Sequence, residues 1–235
     1  MNATLKAREE IAQGTLLATF DLLGNEVEYI PGQFVIVVLS QLIYPDDRGG
    51  RRHFSIVNSP NVKGIIQIAT RIRESGFKKT LNEMQLGSLL ELGPIAGRFI
   101  LPETTDRPLV FIAGGIGITP FMSMLSYVKE MKLPYEITLL YSNKDTASTA
   151  FFADLESLAA SIPGLRLVFS MTQDPHWQGE KSRIDAAIIK KYVPDLQRPL
   201  FYVVGPPAMN DAVNQTLLDL GVLQENIKRE RFTGY

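Results

Sequence analysis

The hydrophobic pattern of this 235-residue chain changes period near residue 103, so one chain is expected to build two different kinds of sheet. Upstream, short segments rich in β-branched and aromatic residues lie at 15–22, 33–39, 52–58, 65–73 and 98–101. Gly24-Asn25, Pro31-Gly32 and the turn at 47–50 punctuate them. This spacing predicts an N-terminal antiparallel barrel or sandwich, interrupted by one short helix near 77–84. Downstream, strand-like runs at 109–113, 136–142, 165–171, 200–204 and 226–231 alternate with helical stretches at 119–131, 150–161, 183–192 and 208–220. Alternation of that kind predicts a five-stranded parallel sheet with helices on both faces. The polar segment 103–108 has no periodic apolar face, so the domains are expected at 1–103 and 104–235.

Composition removes several function classes. Lys+Arg 24 against Asp+Glu 25 leaves a net charge of −1, without the clustered cations that nucleic acid requires. The chain has no cysteine, which excludes disulfides, thiolate nucleophiles, Cys-ligated zinc and Cys-held iron–sulfur clusters within it. His53 and His176 are too few and too dispersed for a metal site, and none is expected. Lys6, Arg8, Glu9 and Glu10 stand where a secretory signal needs an apolar core, so a cytoplasmic, monomeric protein is expected. Residues 109–128 carry no charge, nominally a bilayer-spanning length at about 1.5 Å per residue. Gly114, Gly115, Gly117 and Pro120 divide that stretch into a strand, a turn and a helix start, and no membrane insertion is expected.

Three motifs carry candidate chemistry. In Ala113-Gly114-Gly115-Ile116-Gly117-Ile118-Thr119-Pro120, between a strand and a helix, the glycines permit close approach of a pyrophosphate. Thr119 and Pro120 suit the cap and first helical turn; plain packing is the alternative reading of the glycines. A second glycine turn, Val204-Gly205-Pro206-Pro207, also follows a strand, and in a doubly wound sheet the two would converge on one crevice. In Arg52-His53-Phe54-Ser55, strand alternation puts a guanidinium and an aromatic ring on one face, able to grip phosphate and cover a flat heterocycle. A core Phe beside a solvated Arg is the alternative.

Arg52-His53-Phe54-Ser55 resembles the flavin-binding Arg-x-Tyr/Phe-Ser signature of the ferredoxin–NADP⁺ reductase superfamily. The resemblance continues, in the family's order, through Pro31-Gly32-Gln33-Phe34, Ser75-Gly76-Phe77-Lys78-Lys79, Gly93-Pro94 and the two glycine turns. It implies a six-stranded antiparallel Greek-key flavin-binding barrel followed by a nicotinamide-nucleotide-binding α/β domain. Carried over by position, Arg52 would bind the flavin pyrophosphate, Phe54 would flank the flavin and Ser55 would hydrogen-bond near its N5 atom. Arg71, Ile72, Gly76, Phe77, Lys78, Lys79 and Thr80 would complete that site. Gly114, Gly115, Gly117, Thr119, Pro120, Ser142, Lys144, Gly205, Pro206 and Pro207 would hold the nucleotide. The C-terminal Phe232 and Tyr235 resemble the family's aromatic tails, able to place a ring over the flavin; an ordinary edge strand is the alternative.

The implied function is a flavoprotein oxidoreductase that moves hydride from NADH or NADPH to bound FAD, then electrons to a ferredoxin-type protein or an oxygenase component. Lys144 is the one cation in the two segments that would meet a 2′-phosphate, which favours NADH. Where many relatives have Cys before the Gly-Pro turn, this chain has Val204, so a thiol at that position is unavailable. A reductase using free flavin as substrate and a non-catalytic nucleotide-binding subunit are the alternatives. Arg52→Ala is expected to weaken FAD binding and leave folding intact.

Overall fold

The computed structural model describes residues 1–104 and 106–231, Arg231 by its backbone alone. The chain divides into two compact units, Met1–Leu101 with Thr119–Tyr127, and Pro102–Ile118 with the chain from Val128 onward.

The first unit is built on strands β1 (Asn2–Ala12), β2 (Thr15–Asp21), β3 (Phe34–Val38), β4 (Arg51–Ser55), β5 (Ile65–Arg71) and β6 (Leu89–Ala96), with helix α1 (Gly76–Glu83) between the last two. All neighbours in the order β4-β3-β6-β1-β2-β5 pair antiparallel. A bridge between Ile56 and Ile68, with Val57 N donating to Gln67 O at 2.9 Å, joins the two ends. Strands β3, β4 and β5 are thus successive neighbours and β6 returns beside β3, a Greek key. Ala3, Leu5, Ala18, Phe20, Val35, Val37, Ile66 and Ile68 fill the interior with Phe77 and Leu81 of α1.

The first unit departs from the sequence expectation at three places. Residues 98–101 are not a strand: Gly97, at φ 124, ends β6, and Phe99 and Leu101 are buried without joining the ladder. Buried residues two apart mimic a strand's alternation without its hydrogen bonds. In their place stand β1 and β6. The charged residues of β1 are tolerated because only one face of an antiparallel sheet must be apolar; Ala3 and Leu5 point inward, and Lys6 meets Asp21 across the ladder at 3.0 Å.

The second unit carries strands β7 (Leu109–Gly114), β8 (Ile137–Asn143), β9 (Leu165–Met171), β10 (Leu200–Gly205) and β11 (Ile227–Arg231). All are parallel, in the order β11-β10-β7-β8-β9. Between them in sequence come helices α2 (Thr119–Met131), of which only the end from Val128 belongs to this unit, α3 (Phe152–Ser161), α4 (Ala186–Tyr192) and α5 (Pro207–Asp219). One face of the sheet, with Val110, Ile112, Leu140, Phe201 and Val203, packs on Ile188 and Ile189 of α4 and Val213 and Leu217 of α5. Residues of opposite parity face the other way, where Phe169 stacks on Phe152 of α3 at 4.5 Å. Burial on both faces explains why β7, β8 and β10 read as largely apolar runs, whereas the edge strands carry Arg166 in β9 and Lys228, Arg229 and Glu230 in β11. The uncharged stretch from Leu109 resolves into β7, a 3-10 turn at Gly115–Ile118 and the start of α2. Among the described residues no helix is long and apolar enough to cross a membrane.

Candidate functional site

In the first unit the candidate residues gather around the start of α1. A Cβ on Gly76 would lie 2.1 Å from the Pro45 carbonyl oxygen and 2.5 Å from that of Tyr44, so only glycine lets the loop before β4 pass over the helix start. That passage brings Asp46 to the helix N-terminus, where an anion meets unpaired N–H groups and the positive dipole end. Its Oδ2 accepts from Phe77 N and from Ser75 Oγ, each at 2.9 Å. Its Oδ1 accepts from Arg48 N at 3.0 Å and pairs with the Arg52 guanidinium. The side chains of Arg52 and Asp46 are 8% and 6% exposed, so this is a buried ion pair. Arg52 Nη1 also donates to the carbonyls of Arg48, Gly49 and Arg51 at 2.8–2.9 Å. Burial alone would raise the Asp46 carboxyl, but the bonds from Phe77, Ser75, Arg48 and Arg52 outweigh it and hold it well below the usual carboxylate range.

Arg52 and Phe54 share a face, as strand alternation requires. The guanidinium lies 5.4 Å from the Phe77 ring centroid and the Phe54 ring 5.9 Å from it. Arg52 is therefore not the solvated cation of the alternative reading. Ser55 is buried, and its hydroxyl has no hydrogen-bond partner among the described residues. Lys78 is 8% exposed; burial, then repulsion from Arg73, Arg48 and Arg52, lowers its ammonium to about 8. Lys79 is paired with Glu74 at 2.7 Å. Thr80 Oγ1 accepts from Ile43 N at 3.0 Å and Tyr44 N at 3.3 Å, tying the Asp46 loop to α1. Arg71 ends β5 opposite Thr15, and Ile72 donates its N–H to Gly14 O at 2.9 Å. Ile72 lines a separate cavity of about 410 Å³ with Arg8, Glu10, Thr15 and Asn82.

In the second unit the strand order reverses at β7, and the two glycine turns meet at that switch point. A Cβ on Gly114 would lie 2.2 Å from Met209 Sδ and 3.2 Å from Pro206 Cδ; one on Gly117 would lie 2.5 Å from Val204 O. Gly205 Cα approaches Gly117 within the same contact, so close packing of the turns is itself a reason for these glycines. Gly115 opens the 3-10 turn at φ 53, and its carbonyl accepts from the Tyr141 hydroxyl at 2.9 Å. Ile118, not Thr119, occupies the cap of α2; Thr119 is the first helical residue and Pro120 the next. Pro206 caps α5 and Pro207 begins it. Beyond Ser142, at the end of β8, Asn143 is buried with both amide atoms unpartnered among the described residues. The Lys144 carbonyl accepts from Gln173 N at 2.7 Å.

Residues 2–100 match the family described as Oxidoreductase FAD-binding domain, and residues 111–215 match Oxidoreductase NAD-binding domain. The chain belongs to the ferredoxin–NADP⁺ reductase superfamily. It is 27% identical over 214 residues to an NADPH oxidoreductase of Mycobacterium tuberculosis, covering 89% of this chain and 53% of the relative. It is 28% identical over 215 residues to the reductase component of phenol 2-monooxygenase from a Pseudomonas species, covering 89% and 59%. The chain thus spans little more than half the length of these curated relatives. In fold it is similar to a ferredoxin NADP⁺ reductase from Neisseria gonorrhoeae solved with bound FAD and NADP, at TM-score 0.83 and 20% identity, covering 98% of each chain.

The residues of this superfamily member fit the two groups its domain families bind, FAD and a pyridine nucleotide. A buried guanidinium, a helix-terminal N–H and a hydroxyl already converge on a carboxylate, so their geometry accepts an anion. The unpartnered Ser55 hydroxyl and Asn143 amide are buried polar groups of the kind a ligand satisfies. Asp46 and the cap role of Ser75 are what sequence reasoning missed. Ser75 three residues before Lys78 is a recognisable cap spacing, whereas nothing linear connects Asp46 to α1, thirty residues away. Phe232 and Tyr235 lie outside the described residues.

Gly117→Ala should destabilise the protein by about 1–2 kcal/mol, because the new methyl meets backbone that cannot step aside. Gly114→Ala should cost less, since Met209 Sδ belongs to a flexible side chain. Thermal unfolding checks the order; an equal or inverted one would show that the turns do not pack rigidly.

Proposed function

We propose that this superfamily member is a flavoprotein reductase that takes hydride from a pyridine nucleotide onto FAD and passes the electrons to a ferredoxin-type protein or an oxygenase component. The observation that carries the reading is the anion site of Arg52, Ser75 and Phe77 N–H at the start of α1, within the residues matched to FAD-binding domains. Bound flavin supplies the hydride-accepting and electron-releasing chemistry. Arg52 and the α1 terminus hold the pyrophosphate, with Lys78 adding charge, which favours FAD over FMN. Phe54 flanks the ring and Ser55 hydrogen-bonds beside N5. In the second unit Gly114, Gly115, Gly117, Gly205, Pro206 and Pro207 shape the nucleotide's turn, and Ser142, Asn143 and Lys144 border its ribose. No protein acid or base is required; the protein orients the reactants. A similarity to an oxygenase's reductase component supports that class of acceptor.

The second reading, free flavin as substrate, is favoured by Asp46, which already satisfies the anion site. Desalting after incubation with FAD separates the two. A retained yellow cofactor and NADH oxidation with ferricyanide support the reductase; a colourless protein that oxidises NADH only with added flavin supports the second reading. Neither activity would leave a nucleotide-binding subunit.

NADH is the proposed donor, with about tenfold higher kcat/KM than NADPH. Lys144 is the lone cation of its segment, while Asp145 and Asp174 place carboxylates in the adjoining loops, where they accept from Ser148 N and Thr146 Oγ1. Steady-state kinetics with both nucleotides decides it. A tenfold preference for NADPH would overturn the assignment and make Lys144→Ala the next variant.

A further inference from the structure

Asp46 fills the site where flavin phosphate would have to sit. Its two oxygens accept from Ser75 Oγ, Phe77 N and Arg48 N and pair with Arg52, so the strongest anion donors of the first unit are already engaged. The carboxylate reaches them from an irregular loop between β3 and β4. That loop is anchored just before Asp46, where Thr80 holds Ile43 N and Tyr44 N and the Tyr44 hydroxyl donates to Glu83 at 2.6 Å. The Asp46 side chain can therefore leave while the loop stays attached to α1.

We propose that Asp46 is an internal competitor for flavin phosphate, a carboxylate that holds the anion site of Arg52, Ser75 and Phe77 N–H closed and is displaced when a flavin nucleotide binds. The proposal rests on the reading that flavin binds at this site. Arg52 cannot serve a buried carboxylate and a pyrophosphate at full strength with the same donors. The gain on binding is then the difference between phosphate and carboxylate pairing, and the apparent affinity falls by the fraction of molecules with the site open. The flavin becomes exchangeable in proportion to how well Asp46 competes.

The test is the binding of FAD, FMN and riboflavin to the full chain and to Asp46→Asn, each followed by quenching of flavin fluorescence. Neutralising the competitor should tighten FAD and FMN at least tenfold and leave riboflavin, which has no phosphate, within about twofold. Equal or weaker binding of FAD and FMN by the variant would overturn the proposal and make Asp46 a support for Arg52. In the wild-type chain, the carboxyl carbon of Asp46, followed by NMR, should titrate well below the normal range without flavin and return towards it with saturating FAD. An Asp46 signal that FAD leaves unmoved would also overturn the proposal, whether or not the variant folds. No binding of any of the three flavins to the wild-type chain would overturn the flavin reading itself, and the competitor with it. Intact FAD binding without tightening in the variant removes the competitor alone.

Discussion

Arg52→Ala should lower both stability and flavin affinity, against the sequence expectation that folding would be untouched. The guanidinium forms an ion pair with Asp46, and both side chains are more than nine-tenths buried. Removing one partner of a buried pair strands the other, at a cost of about 3–5 kcal/mol. The low end applies here, because Ser75, Phe77 and Arg48 still donate to Asp46. At about 2–4 °C per kcal/mol for a chain of this size, a loss of about 3 kcal/mol lowers the melting temperature by about 6–12 °C. Flavin binding should weaken by a further 1.5–3 kcal/mol or about 10–150-fold, the scale of charge-assisted hydrogen bonds. Asp46→Asn added to Arg52→Ala should recover much of the stability, while flavin binding stays weaker than in Asp46→Asn alone. A single variant with wild-type melting and full flavin occupancy would remove Arg52 from both roles.

The second large effect is a pH dependence centred on Glu230. This residue pairs with Val204 across the β10–β11 ladder, and its carbonyl accepts from Asn210 Nδ2 at 2.9 Å. Its own Oε2 is buried with no hydrogen-bond partner among the described residues. Burial pushes the carboxyl from an ordinary 4.5 up to about 7. A raised folded-state pKa means that the fold prefers the protonated acid. The associated stability is present in full below about pH 4.5 and is lost as the pH rises through about 7. At 1.36 kcal/mol per pKa unit, that loss is about 3 to 3.5 kcal/mol. Glu230→Gln, which mimics the protonated acid, should match the wild type near pH 4.5 and exceed it by about 3 kcal/mol at pH 8. Unfolding of both proteins by urea across that range measures it. Parallel stability profiles would mean that Glu230 is solvated when ionised.

The division into an antiparallel and a parallel sheet was legible in the sequence because burial on one face or two imprints different hydrophobic periods. Strands β7, β8 and β10 are buried on both faces and read as largely apolar runs, whereas β2 alternates in burial along its length. Glycine turns were equally legible, since Gly114, Gly117 and Gly205 stand where any Cβ would meet neighbouring backbone or Met209. The resemblance carried by Arg52-His53-Phe54-Ser55 and the motifs after it supplied the family, because such local patterns survive where overall identity is low. Strand β1 was not legible: its second half carries Lys6, Arg8, Glu9 and Glu10, and its inward face is defined by partners far along the chain. Strand β6 was obscured by Gly93-Pro94, which its pairing with β3 tolerates at a bulge. Only the tertiary structure decided where the Arg52 charge goes. Asp46, Arg52 and Ser75 come from three separate segments, and the carboxylate that meets the guanidinium is selected by the path of a loop across Gly76. Burial then fixes the strength of that pair and the protonation of Glu230, because desolvation depends on what the whole fold places around a group, which no local sequence pattern encodes.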